Sequence, residues 1–146
     1  MFNKEKFKIG KKSRKKLDTC HEHIKKIFEY VINYYDFSVL EGFRTEEIQN
    51  NYYDQGKSKL KFPQGKHNKF PSLAIDVAPY PIDWNDIERF NEFARFVQGI
   101  ALGKFGIRLR WGGDWNGDFK KNESFIDCPH FELHSRLVDD GWVKYE

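Results

Sequence analysis

An aspartate interrupts the apolar run Leu73-Ala74-Ile75-Asp76-Val77-Ala78, with His67 shortly before it and an Asp127-x-x-His130 element near the C-terminus. A carboxylate carried into a buried strand is costly unless its charge is compensated, and with two imidazoles in reach a bound cation is a direct answer. Zinc in a catalytic site takes three protein ligands, His and carboxylate among the suitable donors, and keeps one position for water. His67, Asp76 and His130 would fill that set. Two neutral imidazoles and one carboxylate leave a net charge of about +1, which acidifies bound water and polarises a carbonyl. The chemistry indicated is metal-assisted hydrolysis, and it needs a base. Asp127 is the leading candidate, separated from His130 by a Cys128-Pro129 turn that could aim both side chains at one point; Glu132, on the strand face of His130 by the period of two, is its rival. On residue type alone, other roles stay open: Asp76 in a buried ion pair with one of the many Lys or Arg, and Asp127 as a turn cap ahead of Pro129. No His-Glu-x-x-His helix is present, and His21, His23 and His134 read as structural or surface residues.

The elements that must hold these residues follow from periodicity. Ser13 can cap a long helix whose apolar positions Leu17, Cys20, Ile24, Ile27, Phe28, Val31 and Tyr35 recur at three and four. Phe37 to Phe43 reads as a short strand. Thr45 caps a second helix with Glu46 and Glu47 in its first turn, ended by Gly56. Residues 57–72 form a loop that delivers His67 to the Asp76 strand. Pro79 to Trp84 is a turn, because proline is excluded from helix interiors and central strands. A third helix carries Ile87, Phe90, Phe93, Ala94, Val97, Ile100 and Ala101 and ends near Gly103; Ile107 to Trp111 is a strand, Gly112 to Ser124 a polar loop, and Phe125 to Leu133 a final strand. Helices and short strands in this order predict an α+β fold with a small antiparallel sheet packed against helices.

With 146 residues, 39% hydrophobic and 17% aromatic, the chain is the size of one domain that buries a core unaided. Two widely spaced cysteines exclude a disulfide framework and a Cys-rich zinc finger, and Cys20 reads as a buried thiol. No segment has the length of a signal-peptide core or a membrane span, so synthesis in the cytoplasm without a signal peptide, and no membrane insertion, is expected. Residues 1–16 hold eight Lys or Arg and one Glu, a net of +7, which leaves −4 on the rest. The division expected is therefore a basic N-terminal arm at 1–16 and a single catalytic domain at 17–146. Such an arm suits an anionic cell envelope; a solvated tail is the plainer reading, and a nucleic-acid partner is not expected.

Three phrases carry a resemblance: His67-Asn68-Lys69-Phe70-Pro71-Ser72-Leu73-Ala74-Ile75-Asp76-Val77-Ala78-Pro79-Tyr80-Pro81-Ile82-Asp83-Trp84, then Arg110-Trp111-Gly112-Gly113-Asp114-Trp115, then Phe125-Ile126-Asp127-Cys128-Pro129-His130-Phe131-Glu132-Leu133. Over about Leu17 to Leu133 the chain resembles the VanY-type D-alanyl-D-alanine carboxypeptidase family, and within it the phage endolysins that act as L-alanyl-D-glutamate peptidases. The resemblance implies a hedgehog/D-Ala-D-Ala-peptidase-like fold and Zn2+ bound by His67, Asp76 and His130, with Asp127 as general base. It also implies that Arg44, in Gly42-Phe43-Arg44-Thr45, holds the substrate and the oxyanion; the plainer reading of Arg44 is a salt bridge with Glu46 or Glu47. Relatives often carry a serine two residues before the first zinc histidine; here that position is Gly65, and Ser58 is expected to take over part of the substrate contact. Trp111, Trp115, Gly112 and Gly113 are expected to line the groove, aromatics stacking on peptide and glycines admitting its backbone, with core packing the competing role for Trp111.

The function implied is cleavage of the L-Ala-D-Glu bond in the peptidoglycan stem peptide by a monomeric phage lysis enzyme, released to the wall by a holin or equivalent. A D-alanyl-D-alanine carboxypeptidase is the alternative, and a non-catalytic zinc-stabilised wall-binding module the third; Asp127 and Arg44 argue against the last.

Overall fold

A computed structural model describes residues 7–120 and 126–146. The chain folds as α+β: α1 (Lys11–Leu17), α2 (Glu22–Val31), β1 (Phe37–Glu41), α3 (Glu46–Asp54), a 3-10 turn (Lys66–Asn68), β2 (Ala74–Pro79), α4 (Ile87–Phe105), β3 (Ile107–Trp111), β4 (His130–Val138) and β5 (Gly141–Lys144). The antiparallel sheet runs β1-β2-β4-β3, and β5 pairs with the distal half of β4. Ile75 and Val77 of β2 and Phe131 and Leu133 of β4 are buried in one core with Ile24, Phe28 and Val31 of α2 and Phe93 and Val97 of α4. Phe131 meets Phe28 and Phe93 edge-on, a favoured geometry for aromatic pairs.

The single long first helix predicted by periodicity is two. Between them Thr19 and His21 bond to Ser72, and the His21 imidazole accepts the His23 N–H to start α2 afresh. The apolar spacing carries through the break because Leu17, Cys20 and Ile24 all enter the same core. Ser13 is no cap: it lies within α1, buried, and its hydroxyl accepts the Val39 N–H of β1 at 2.9 Å. Residues 11–16, assigned by charge to an arm, are helical in α1, with Ser13 buried and the lysines exposed, while residues 1–6 lie outside the described residues.

Other boundaries move for local reasons. Thr45 caps α3 as expected, but α4 ends on Gly106, whose φ of 65° supplies the left-handed cap, and Ile87 at its start is exposed. Pro79 closes β2 rather than opening the turn. The final strand starts at His130 and continues to Val138, where a hairpin adds β5, which the sequence reading missed; residues 121–125 of the expected loop and strand lie outside the described residues.

Gly99 sits exposed inside α4 with nothing within 4 Å of where a side chain would start, whereas a Cβ at Gly42 would overlap the Thr19 hydroxyl and the Lys16 carbonyl of α1. Gly99→Ala should raise the unfolding free energy by about 0.5–1 kcal/mol through chain entropy. Gly42→Ala should lower it by about 1–3 kcal/mol through overpacking. Urea melts of both variants check the pair of signs.

Candidate functional site

Asp76 of β2 and His130 of β4 are direct cross-strand partners, so their side chains leave the same face of the sheet. Arg110 and Glu132 are partners on β3 and β4, and Asp76 is paired with Glu41 across a bulge in β1. A charged row therefore crosses four strands on the face opposite the aromatic core. His67 reaches it from the 3-10 turn, which is held in place by the Arg44 N–H on the His67 carbonyl at 2.8 Å and by the buried Asn68 amide on the Arg44 carbonyl at 3.1 Å.

Three ligand atoms converge. His67 Nε2 lies 3.1 Å from Asp76 Oδ1, His130 Nδ1 lies 3.2 Å from the same oxygen, and the two nitrogens are 3.2 Å apart. Donors about 2.0–2.1 Å from a tetrahedral ion stand about 3.3 Å from one another, so the triangle has the size of one face of such a site. Their chemistry fits as well. His67 Nδ1 donates to the Gly42 carbonyl at 2.7 Å, and His130 Nε2 donates to Glu132 Oε1 at 2.9 Å. Each partner can only accept, so each neutral ring is fixed in the tautomer that leaves its inward nitrogen bare. Two bare lone pairs and a carboxylate oxygen aimed at one point repel unless a proton or a metal cation lies between them. His67, Asp76 and His130 thus form a group that can hold a metal ion.

Electrostatics follow the same row. Burial would raise the Asp76 carboxyl, but in the metal-free site a proton taken up by the facing imidazoles of His67 and His130 supplies the charge and the inward bonds that outweigh burial and hold the group well below the carboxylate range. Burial would lower His130, yet its bonds to Asp76 and Glu132 carry it up to about 9 without metal. Burial likewise opposes the ionised Glu132, and the His130 bond together with Arg110, 2.9 Å away, brings it down to about 2. An anion bonded on both oxygens is a poor base, and the rival role for Glu132 is replaced by that of orienting His130.

Asp127 is half-buried in the turn before β4 and lines the cleft above the triad. Burial first, then the charge of Asp76, raises its pKa. Arg44 is buried. Its guanidinium forms a fork on Glu41, at 3.1 and 2.8 Å, donates to Gln49 at 2.9 Å and stands 3.5 Å from Asp76 Oδ2; the expected alternatives Glu46 and Glu47 are exposed elsewhere on α3.

The cleft, about 370 Å³, is walled on one side by residues 57–60 with Gly65 and Lys66, and also takes in Arg110, Trp115, Asp127 and Glu132. Ser58 and Trp115 line it as expected; Ser58 accepts the Gln49 amide at 3.0 Å and Trp115 sits 5.2 Å from the His130 ring. Trp111, Gly112 and Gly113 do not. Trp111 is 3% exposed and its indole N–H donates to the Cys128 carbonyl at 2.7 Å, which makes it core. A side chain on Gly112 would strike the Asp127 backbone and one on Gly113 the Trp111 ring, so both glycines admit this chain's own atoms rather than a ligand's. Sequence reasoning missed Glu41, Gln49, Lys66 and Arg110; the period-two placement of Arg110 opposite Glu132 was the one signal available, and it required the register.

Comparison with known proteins identifies a family. The family described as phage L-alanyl-D-glutamate peptidase matches residues 5–134, a span that holds every residue of the cleft. The L-alanyl-D-glutamate peptidase of Escherichia phage T5 is 38% identical over 145 residues, covering 94% of this chain and 97% of that protein. The crystal structure of Serratia marcescens L-Ala D-Glu endopeptidase ChiX has the same fold, with a TM-score of 0.70 over 91% of this chain and 95% of that one at 24% identity.

Because a metal displaces the proton that His130 carries below about pH 9, metal affinity should rise with pH up to that value, with buffer-dependent heats in calorimetric titration. Glu132→Ala, which frees the His130 ring, should weaken the metal by about 10–100-fold in the same titration.

Proposed function

Because the chain belongs to the phage L-alanyl-D-glutamate peptidase family, and so is a peptidoglycan peptidase, we propose that it hydrolyses the bond between L-alanine and D-glutamate in the stem peptide. We propose further that the ion held by His67, Asp76 and His130 is zinc, which suits a site of two imidazoles and one carboxylate with a position left for water. The observation that supports the reading best is the pair of fixed tautomers, which leaves the inward nitrogens of His67 and His130, both lining the cleft, electron-rich beside the Asp76 carboxylate.

Bound there, the ion is a Lewis acid that lowers the pKa of water and polarises a carbonyl. The remaining work falls to side chains. Asp127, with its raised pKa, accepts the proton of the attacking water and returns it to the leaving amine of D-glutamate. Arg44 lines the cleft with its charge anchored by Glu41 and Asp76, in position to donate to the carbonyl oxygen as negative charge develops on it. Trp115 and Ser58 both line the cleft and would contact the bound peptide. A monomer is the working unit proposed.

The lysines of α1 supply a second feature. Lys12, Lys15 and Lys16 line a surface cleft of about 410 Å³ with Thr19, Phe43 and Tyr52. It shares Glu41 with the Arg44 anchor, so an anionic wall polymer lying there would bring the catalytic cleft to its substrate. Among the described residues no helix is long and apolar enough to cross a membrane. The setting proposed is a phage lysis enzyme made in the host cytoplasm and released to the wall.

Digestion of purified peptidoglycan by the zinc-loaded protein should release peptides with new amino-terminal D-glutamate, seen by mass spectrometry and abolished by EDTA; loss of terminal D-alanine alone would instead make it a carboxypeptidase. Asp127→Asn should lower kcat by about 10²–10⁴-fold with zinc content unchanged. A base raised by burial is protonated, and inactive, as pH falls through its pKa. In the metal-free protein the Asp127 carboxyl, followed by NMR, should therefore titrate above the ordinary aspartate range. Neutralising Lys12, Lys15 and Lys16 together should reduce sedimentation with intact cell walls and flatten its salt dependence while sparing cleavage of a short soluble peptide.

A further inference from the structure

The charges of the catalytic cleft do not balance, and the excess lies on one wall. Five cations line it: Arg44, Lys57, Lys59, Lys66 and Arg110. Arg44 is held by Glu41 and Asp76, and Arg110 by Glu132. Lys57 and Lys59 are exposed, Lys57 over the Tyr52 ring at 5.8 Å. Lys66 is different. It is half-buried, immediately precedes the ligand His67, and among the described residues forms no ion pair. Its backbone is fixed on both sides, by the Leu73 N–H on its carbonyl at 3.1 Å and by the bond from His67 to Gly42, so the root of the side chain cannot drift from the metal-binding triad. Beyond it the field is positive: His134, which faces Lys66, Arg110, Lys144 and Glu132, is pushed below its ordinary pKa by burial and by the three cations, against the single opposing carboxylate.

An ammonium rooted beside a hydrolytic centre, with no ion-pair partner among the described residues, is matched by an anion on the substrate. The proposed substrate has one. The leaving side of an L-alanyl-D-glutamyl bond is a glutamate residue, which carries two carboxyl groups besides the amine being released; when the peptide continues through one, the other remains a free carboxylate near the scissile nitrogen. We propose that Lys66 is a specificity-determining residue that pairs with this free carboxylate, so that the cleft selects a D-glutamate with its carboxylate exposed over one in which it has been converted to an amide. The inference rests on the L-alanyl-D-glutamate reading above and deepens it. The carboxylate on Lys66 places the glutamate amine toward Asp127, which lines the same cleft. A carboxamide of the same shape offers neutral hydrogen bonds only, and charge-assisted bonds are about twice as strong.

The test uses two synthetic peptides identical except that the free glutamyl carboxylate is a carboxamide in one. Zinc-loaded wild-type protein should cleave the carboxylate with a kcat/KM about tenfold or more above that for the carboxamide, and the ratio should shrink as salt rises. In Lys66→Met the ratio should fall toward one, and Lys66→Arg should keep most of it; circular dichroism and zinc content show that each variant is folded and loaded. An unchanged ratio in Lys66→Met overturns the assignment. So does collapse of the ratio only in Lys57→Met. If wild type cleaves neither peptide, the L-alanyl-D-glutamate reading is what fails, and calorimetric binding of the two peptides then decides: a wild-type preference for the carboxylate that is lost in Lys66→Met sustains the role of Lys66, and equal binding overturns it.

Discussion

Two N–H groups that point away from the metal-binding centre decide what that centre is. Were the Gly42 carbonyl or the Glu132 carboxylate absent, either ring could place its proton inward and satisfy Asp76 as an ordinary buried hydrogen bond. With both present, the inward atoms of the neutral rings at 3.1–3.2 Å are bare, and their repulsion is relieved by a proton or a metal ion. The rest of the fold serves these two acceptors. Gly42 presents its carbonyl to His67 because it has no side chain to hold α1 away, and Glu132 stays ionised in a buried position because Arg110 lies across from it in register.

The sheet divides the labour between its faces. One carries Ile75, Val77, Phe131 and Leu133 into an aromatic core with α2 and α4, and this apolar burial provides the stability. The other carries Glu41, Asp76, His130, Glu132 and Arg110 in a row. Buried charges destabilise unless each is paired, and here each anion has its cation: Glu41 and Asp76 share Arg44, and Glu132 has Arg110. A rigid strand pair is also what sets the spacing of Asp76 and His130, since cross-strand partners cannot slide without a register shift that would turn both side chains to the other face.

The cleft walls are loops, and they are pinned rather than free. Gln49 accepts from Arg44 and Asn68 and donates to Ser58, so one buried amide ties the guanidinium to the wall formed by residues 57–60 and to the turn that bears His67. Asp127 is placed by its N–H on the Gly112 carbonyl and by the Trp111 indole on the neighbouring Cys128 carbonyl. A base held by backbone contacts to the sheet can be set against ligands that belong to the sheet.

The sequence alone was enough for the α+β class, for the helix carried by α4, and to single out His67, Asp76 and His130 as candidate ligands and Asp127 as a candidate base, because an acidic residue in an apolar run and paired histidines are signals of composition and local spacing. Resemblance supplied Arg44 and the reaction. What the sequence could not hold was anything set by pairing across the chain. The break between α1 and α2 is made by Ser72, far downstream, and the apolar period runs through it unchanged. Trp111, Gly112 and Gly113 share composition with groove-lining residues, and only packing turns them inward to the core and to Asp127. Glu132 reads locally as a base, and the β3–β4 register makes it the anchor of His130. Side-chain type is local information, whereas protonation state, tautomer and exposure are fixed by neighbours that only the tertiary fold brings within hydrogen-bond distance.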